Sequence, residues 1–365
     1  MQRASFGADV DLRTRRELTA LRLTAQRVAS PTTATIAETV RYLFAVQAQD
    51  LPGARWSVGL RSRGATDADV GAALASGAVV RSWPMRGTLH LVAPEDLGWM
   101  LRLTRPRQAT FAATRRRALG ITDDDMATAR RTAVAALEGG RVERRDVLLG
   151  RFEGAGIPTT GQRGYHLLWN LAQDGVLVFG PPDGAHPTFA LVEEWIRAPR
   201  DFEGDEALGE FAARYVASRG PATDRDFAWW SSLTLGQARR ALEIAQARSI
   251  ERGGERYYLA EGLEPAARGI QLLPGFDEFL LGYQDRSAPL SAEFAPRIVP
   301  GGNGIFQPTI VVGGLVAGTW RRSTSARAAT VEIEPFGELS STTRAGLGRA
   351  ARHLGRFLGV PAIIR

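Results

Sequence analysis

The chain has 365 residues, of which 44% are hydrophobic and 23% are charged, and its formal net charge is +7. This length suits several packed domains, and the balance is that of a soluble, globular protein. No window approaches the roughly 20 consecutive apolar residues of a membrane span, and the N-terminal MQRASFGADVDLRTRR lacks the apolar core of a secretory signal. Because there is no cysteine, disulfides, zinc–thiolate sites and iron–sulfur clusters are excluded. We expect a cytoplasmic protein.

All 46 basic residues are arginine, because the sequence contains no lysine. A genome biased toward arginine codons explains most of this usage. Arginine nevertheless stays charged and binds phosphate through two parallel hydrogen bonds, so its clusters favour an anionic polymer as partner. The missing lysine also excludes P-loop and Schiff-base chemistry on a lysine. The clusters are Arg13, Arg15 and Arg16; Arg102, Arg105 and Arg107; Arg115 to Arg117; Arg141, Arg144 and Arg145; and Arg321 and Arg322.

The first third of the chain predicts helices followed by a strand. Apolar residues recur at helical spacing in DLRTRRELTALRLTAQRVAS and in TTATIAETVRYLFAV, and DADVGAALASGAVVRSW predicts a third helix. The MRGTLHLV stretch, bounded by Pro84 and Pro94, predicts a strand. Three helices and then a strand are the order of a winged helix, and we expect one over residues 1–120.

Two further stretches predict similar units. RRDVLLGRFEGAGI and GYHLLWNLAQDG predict helices, and VLVFGPPDGAHPTFALV predicts a hairpin whose loop is marked by Gly-Pro-Pro and Asp-Gly. These place a second winged helix over residues 121–200. ALGEFAARYVASRG, TDRDFAWWSSL, TLGQARRALEIAQAR and ERYYLAEG place a third over residues 201–262, with Thr223 and Thr234 as helix caps.

From about residue 270 the hydrophobic period changes to two. GIFQPTIVVGGLVAGTWRR predicts two strands joined by a Gly-Gly turn, ATVEIEPF predicts another strand, and TTRAGLGRAARHLGRFLG predicts a closing helix. We expect a β-rich domain over residues 263–365. The predicted fold class is α+β, mainly α, with three tandem winged-helix units followed by this β-rich unit.

The stretch VQAQD places two amides and an acid at the end of an apolar segment. Gln47 and Gln49 flank Ala48, and Asp50 follows directly. Buried glutamine is costly unless its donors and acceptors are paired. In extended backbone the two amides point the same way, whereas in a helix they lie roughly 200° apart. A shared site therefore requires the helix to end near Val46; otherwise both amides cap or bridge neighbouring elements.

The predicted strand MRGTLHLV has one polar face. Alternation places Arg86, Thr88 and His90 on that face. These side chains either contact phosphate and a damaged base or form the solvated side of a two-faced strand. The other histidines share no metal-ligand spacing, so we expect no metal site.

Three acids are further candidates. Asp50 either stabilises a cation or caps the turn at Leu51-Pro52-Gly53, the more usual role of aspartate before a turn. Asp277 and Asp285, in FDEF and YQDR, are rival catalytic carboxylates in predicted loops. Asp285 beside Arg286 is more typical of a local ion pair.

Together these features resemble the AlkZ-type winged-helix DNA glycosylases. The resemblance covers nearly the whole chain and is carried by VQAQD, RSWPMRGTLHLV, GPATDRDFAWWSSL and LLPGFDEFLLGYQDRS. It implies that Gln47-Ala48-Gln49 is the catalytic Gln–apolar–Gln motif. It also implies excision of alkylated purines, including those in interstrand crosslinks, from double-stranded DNA. A monomeric repair enzyme without a cofactor, in the bacterial cytoplasm and nucleoid, is then expected.

Amide side chains suit this chemistry. A purine alkylated at N7 already carries positive charge, so its departure needs little help from an acid. Two amide oxygens can orient a water beneath C1′ to capture the cationic sugar. Two other functions remain open from the sequence: a winged-helix DNA-binding protein or transcription regulator without chemistry, and a helical interaction protein whose arginine content is only compositional.

Overall fold

The structure is a computed structural model that describes residues 11–265 and 269–365. The backbone separates into two compact units. The first comprises the described residues up to Val70 together with Leu208–Arg365, and the second comprises Gly71–Ala207. The protein is mixed α+β and about half helical. Within the described ranges, no helix is long and apolar enough to cross a membrane.

The helices account for most of the regular structure. In chain order they are α1 (Leu12–Ala25), α2 (Ile36–Leu43), α3 (Leu51–Arg61), α4 (Asp67–Ala75), α5 (Pro94–Ala118), α6 (Asp123–Leu137), α7 (Arg145–Gly154), α8 (Arg163–Gln173), α9 (Val192–Trp195), α10 (Gly204–Arg219), α11 (Asp224–Ser231), α12 (Leu235–Ile244), α13 (Glu278–Leu281), α14 (Ala295–Ile298) and α15 (Ser341–Leu358).

The strands are short except near the C-terminus. In chain order they are β1 (Ala45–Gln47), β2 (Val80–Met85), β3 (Thr88–Val92), β4 (Glu143–Arg144), β5 (Leu177–Phe179), β6 (Thr188–Leu191), β7 (Ser249–Arg252), β8 (Glu255–Tyr258), β9 (Ile270–Leu273), β10 (Thr309–Val312), β11 (Leu315–Thr324), β12 (Ala329–Pro335) and β13 (Ala362–Ile364).

One order of elements recurs along the chain. In the second unit, α6, β4, α7, α8, β5 and β6 follow one another, and their strands pair in the order β4-β6-β5. Farther along, α10, α11 and α12 precede the β7–β8 hairpin, and Ala222 forms an isolated bridge to Tyr258 of β8. The elements α2, β1, α3, α4, β2 and β3 have the same sequence order. Thr223 and Thr234 cap α11 and α12 as predicted, each within a reciprocal capping box.

The C-terminal strands form the sheet predicted from the period of two. It has five strands in the order β13-β12-β11-β10-β9 and curls into a half-barrel. The turn between β10 and β11 is Gly313–Gly314, both in the left-handed region. The predicted closing helix is α15, which packs against β9 and β13. The predicted strands and helix are confirmed here, whereas β13, parallel to β12, had no sequence signal strong enough to predict it.

Three local predictions are wrong. Leu51-Pro52-Gly53 begins α3 rather than a turn, because proline is tolerated in the first turn of a helix, where its missing N–H is not needed. The predicted third helix ends at Ala75, and β-branched Val79 and Val80 lead into β2. The single strand predicted for MRGTLHLV instead comprises the last residue of β2, the hairpin turn and β3.

Helix α3 contacts α15 through a glycine. A Cβ added at Gly59 would lie 2.2 Å from Cε2 of Phe357, whose ring is buried. Phe357 also packs against Trp56 of the same helix, with ring centroids 5.1 Å apart. The absence of a side chain at residue 59 therefore lets α15 approach α3.

We expect Gly59→Ala to destabilise the fold by about 1–3 kcal/mol, because the added methyl overpacks a rigid aromatic contact. Gly348→Ala, on the middle of α15, is the matched control: its nearest neighbour is Arg352 Nη1 at 3.6 Å. This control should stabilise by about 0.5–1 kcal/mol through helix propensity. Thermal and urea unfolding measure both, and equal effects would contradict the packing account.

Candidate active site

The two predicted glutamines lie where the chain passes from the interior to the surface. Helix α2 ends at Leu43, Phe44 takes a left-handed φ of 69°, and β1 ends at Gln47. The condition for a shared site, a helix that ends near Val46, is therefore met. Gln47 is 8% exposed, Ala48 is fully buried, and Gln49 is exposed in the bend before α3.

The backbone of this segment is bound on its interior side by two charged side chains. Arg219 donates from Nη1 to the carbonyl oxygen of Leu43 at 2.6 Å and from Nη2 to that of Ala45 at 2.5 Å. Glu278 accepts at Oε1 from the N–H of Gln47 at 3.0 Å. Three backbone groups between Leu43 and Gln47 thus bond to buried charged side chains.

Arg219 and Glu278 also form an ion pair with each other. Arg219 Nε and Nη2 donate to Glu278 Oε2 at 3.1 and 2.9 Å, and Trp230 Nε1 donates to the same oxygen at 2.9 Å. Both charged residues are 0% exposed. The guanidinium lies over the Trp230 ring, 4.2 Å from its centroid. A buried pair persists only when its remaining groups are hydrogen-bonded, and this pair meets that condition.

Asp277 is the buried partner of a different arginine. Arg61 donates to its two oxygens at 2.8 and 2.9 Å, Ser57 Oγ donates at 2.7 Å, and the N–H of Phe279 donates at 2.9 Å. Asp277 is 4% exposed and caps α13. The prediction of a loop carboxylate available for catalysis is corrected, because these interior donors already engage both oxygens.

Asp285 and Arg286 do not form the predicted local ion pair. Asp285 accepts from the N–H and Oγ of Ser287 at 2.8 and 3.0 Å. Arg286 donates to the carbonyl of Leu280 at 2.9 Å and lies over the Trp229 ring at 4.9 Å. Burial lowers the pKa of Arg286 to about 10. Both residues have local structural partners instead.

Asp50, which follows Gln49 in the sequence, lines a pocket. It is the N-cap residue of α3, yet its side chain makes no capping hydrogen bond, so the predicted capping role is wrong. Its carboxylate folds toward Gly53, where a Cβ would lie 2.5 Å from Oδ2. The pocket measures about 390 Å³ and combines this acid with apolar walls and two arginines. Its lining is Asp50, Pro52, Gly53, Trp56, Pro274, Gly275, Pro308, Trp320, Arg321 and Arg322.

Arg86, Thr88 and His90 belong to the second unit and surround the β2–β3 turn. Arg86 and Gly87 both have positive φ, as a two-residue hairpin loop requires. His90 is 0% exposed and bonds through Nδ1 to the carbonyl of Thr88 at 2.9 Å and through Nε2 to Arg86 Nη2 at 3.0 Å. Because guanidinium only donates, Nε2 accepts and Nδ1 carries the proton. The prediction of one open polar strand face is corrected.

Glu278 and Arg219 were not among the residues predicted from sequence. A usable signal existed for Glu278, because GFDEFLL places two adjacent acids inside an apolar stretch, and acids are rarely buried unless paired. Arg219 follows an ordinary amphipathic helix and carried no signal. No group of three histidine or acidic side chains in residues 11–265 and 269–365 could hold a metal ion.

We expect Asp277→Ala to lower the free energy of unfolding by about 3–5 kcal/mol, because it leaves the fully buried Arg61 without its counter-ion. Asp285→Ala is the control and should cost about 1 kcal/mol, since the side chain of Asp285 accepts hydrogen bonds from the neighbouring Ser287. Urea unfolding compares the two variants. Equal costs would contradict the structural role assigned to Asp277.

Comparison with known proteins agrees with the predicted resemblance. Residues 40–357 match the DNA glycosylase AlkZ-like family. The chain is 28% identical to an interstrand DNA cross-link repair glycosylase of Streptomyces sahachiroi, covering 94% of this chain and 96% of that protein. The solved structure of the Streptomyces sahachiroi DNA glycosylase AlkZ superposes with a TM-score of 0.79 at 26% identity, covering 96% of this chain and 99% of that one. The chain therefore belongs to the AlkZ-like family of DNA glycosylases.

Proposed function

We propose that this protein is a monofunctional DNA glycosylase that hydrolyses the N-glycosidic bond of N7-alkylated purines. Gln47 and Gln49 hold the attacking water in this proposal. The observation that carries it is the placement of the Gln-Ala-Gln motif, at the end of a buried strand whose backbone is fixed by Arg219 and Glu278.

The proposed reaction needs orientation more than proton transfer. Alkylation at N7 makes the purine a cationic leaving group, which departs with the electrons of the glycosidic bond. The sugar is left as an oxocarbenium ion. Water adds to C1′ and then loses a proton to solvent, so atoms and charge balance. Amide oxygens are weak bases, and their contribution is to hold that water in line with C1′.

The surroundings of Gln47 support this role. The backbone N–H of Gln47 donates to Glu278. Within the described residues, no group bonds to the side-chain amide of Gln47. The side chain is therefore available to a water or a sugar. In the pocket that it lines, Asp50 supplies a negative charge that stabilises a nearby cation. Arg321 and Arg322 line the same pocket and suit the phosphates that flank a damaged nucleotide.

The recurring order of elements supports a duplex as substrate. We propose winged-helix units over residues 1–120, 121–200 and 201–262, followed by the β-rich unit over residues 263–365. Arg86 and the arginine clusters would contact phosphate in a sequence-independent manner. The named relative acts in interstrand cross-link repair, and a crosslink through purine N7 presents the same cationic leaving group. Unhooking of such crosslinks by a monomer is accordingly part of the proposal.

Gln47→Ala and Gln49→Ala should each slow release of N7-methylguanine from duplex DNA by on the order of 10²-fold, because each removes one water-orienting amide. Neither change removes a charged phosphate contact, so DNA affinity should stay close to that of the parent. Single-turnover release of free base and fluorescence anisotropy measure the two quantities. Gln284→Ala, at an exposed glutamine outside the motif, is the matched control.

Unchanged base release in both motif variants would make the glutamines structural. Absence of base release from the parent protein, together with tight duplex binding, would favour the non-catalytic DNA-binding alternative.

The product should be an intact abasic site. Lyase glycosylases cut the backbone through an amine that forms a Schiff base with the sugar, and the sequence contains no lysine. Borohydride should therefore trap no covalent protein–DNA adduct, and strand breaks should appear only after alkali or heat. A lysine-dependent lyase glycosylase serves as positive control, and a trapped adduct would refute the monofunctional assignment.

A further inference from the structure

Three buried arginine–carboxylate pairs lie in the first unit, and they differ in what else they contact. Arg61 pairs with Asp277 at 2.8 Å, Arg219 with Glu278 at 2.9 Å, and Arg22 approaches Asp226 at 3.9 Å. In the part of the chain that the structure describes, only Arg219 and Glu278 among these bond to the backbone of residues 43–47.

The Arg219–Glu278 pair is itself tied to several elements. Arg219 ends α10, and its carbonyl accepts from the hydroxyl of Tyr283 at 2.7 Å. Tyr215, one turn earlier, donates to the carbonyl of Gly282 at 2.7 Å. Glu278 begins α13. The pair therefore connects helices α10 and α13 to strand β1, which carries Gln47.

We propose that Arg219 and Glu278 are positioning residues for the Gln47 motif. The inference rests on the proposed function and adds to it the residues that set the position of the catalytic amide. Neither side chain contacts the substrate in this account. They hold the carbonyls of Leu43 and Ala45 and the N–H of Gln47, so the Gln47 side chain leaves the strand at one fixed point. A displacement of about 1 Å at such a group can cost about 10²-fold in rate.

Glu278→Gln tests this arrangement because hydrogen-bond donors contact both carboxylate oxygens. Oε2 accepts from Arg219 Nε, Arg219 Nη2 and Trp230 Nε1, and Oε1 accepts from Gln47. In the variant, the single amide oxygen would occupy the position of Oε2, where it accepts from the three donors of Arg219 and Trp230. Its NH₂ group would then oppose the N–H of Gln47 and displace that residue.

Asp226→Asn is the matched control. Asp226 is 1% exposed, and its oxygens likewise face donors: the N–H groups of Gln284, Asp285 and Thr223, at 2.8, 3.1 and 3.0 Å. The exchange removes the same charge and creates the same donor conflict. It lies outside the Gln-Ala-Gln motif and its backbone contacts.

The expected result is a split between chemistry and binding. Glu278→Gln should slow single-turnover release of N7-methylguanine by about 10²-fold with unchanged DNA affinity, whereas Asp226→Asn should release base at the parental rate per folded molecule. Equal rates in the two folded variants would overturn the inference while leaving the glutamine mechanism intact.

A second pair of variants tests the inference without leaving an unpaired charge in the interior. Replacing both Arg219 and Glu278 by methionine exchanges a buried ion pair for two apolar residues. Protein folds often tolerate such a change. The same double exchange at Arg22 and Asp226 is its control. Only the first should lose base release.

The inference and the proposed function can fail separately. If the parent protein releases no base, the proposed function fails, and limited proteolysis then tests the positioning. Glu278→Gln should be cleaved within residues 44–50 faster than Asp226→Asn, and equal cleavage would overturn the inference.

Discussion

The candidate site depends on one buried ion pair, between Arg219 and Glu278. Two charges removed from water are stable only when their hydrogen-bonding groups are satisfied. Here the satisfying partners include the backbone of the strand that carries Gln47. The same contacts that make the pair tolerable therefore fix the strand. Any loss of strand position leaves charged groups unpaired in the interior, which makes the arrangement rigid.

Rigidity has a particular value for amide chemistry. A carboxylate or an imidazole accelerates reactions partly through its basicity, whereas an amide has almost none and contributes through geometry alone. A motif of two glutamines is therefore useful only if the backbone holds it still. The sequence places two acids side by side in GFDEFLL, and each binds its own buried arginine: Asp277 binds Arg61 and Glu278 binds Arg219. This short segment anchors both α3 and β1, on either side of the motif.

Local features of the fold could be predicted from the sequence, because their causes are local. The caps at Thr223 and Thr234 and the Gly313–Gly314 turn each depend on a few neighbouring residues. The motif itself was recognised by resemblance. The wrong predictions concern residues that fit two structures: Pro52 fits a turn or the first turn of a helix, and Val80 fits a helix or a strand.

The contacts of the site could not be predicted, because they join distant parts of the chain. Gln47 and Glu278 are separated by 231 positions, and no periodicity reports such a pairing. For the same reason Asp277 was predicted in an open loop although Arg61 buries it, and His90 was predicted on an open face although it is interior. Asp277 was a candidate catalyst and His90 a candidate contact to phosphate or a damaged base, whereas both are buried and bonded to structural partners.

Hydrogen–deuterium exchange at the backbone N–H of Gln47 measures whether Glu278 holds the strand that carries the motif. This N–H donates to a buried carboxylate, so it should exchange far more slowly than an unprotected backbone amide, and the Glu278→Gln variant should lose this protection while the rest of β1 stays folded. Exchange of the Gln47 amide at the rate of an unprotected amide, or protection unchanged in Glu278→Gln, would contradict the positioning of Gln47 by Glu278.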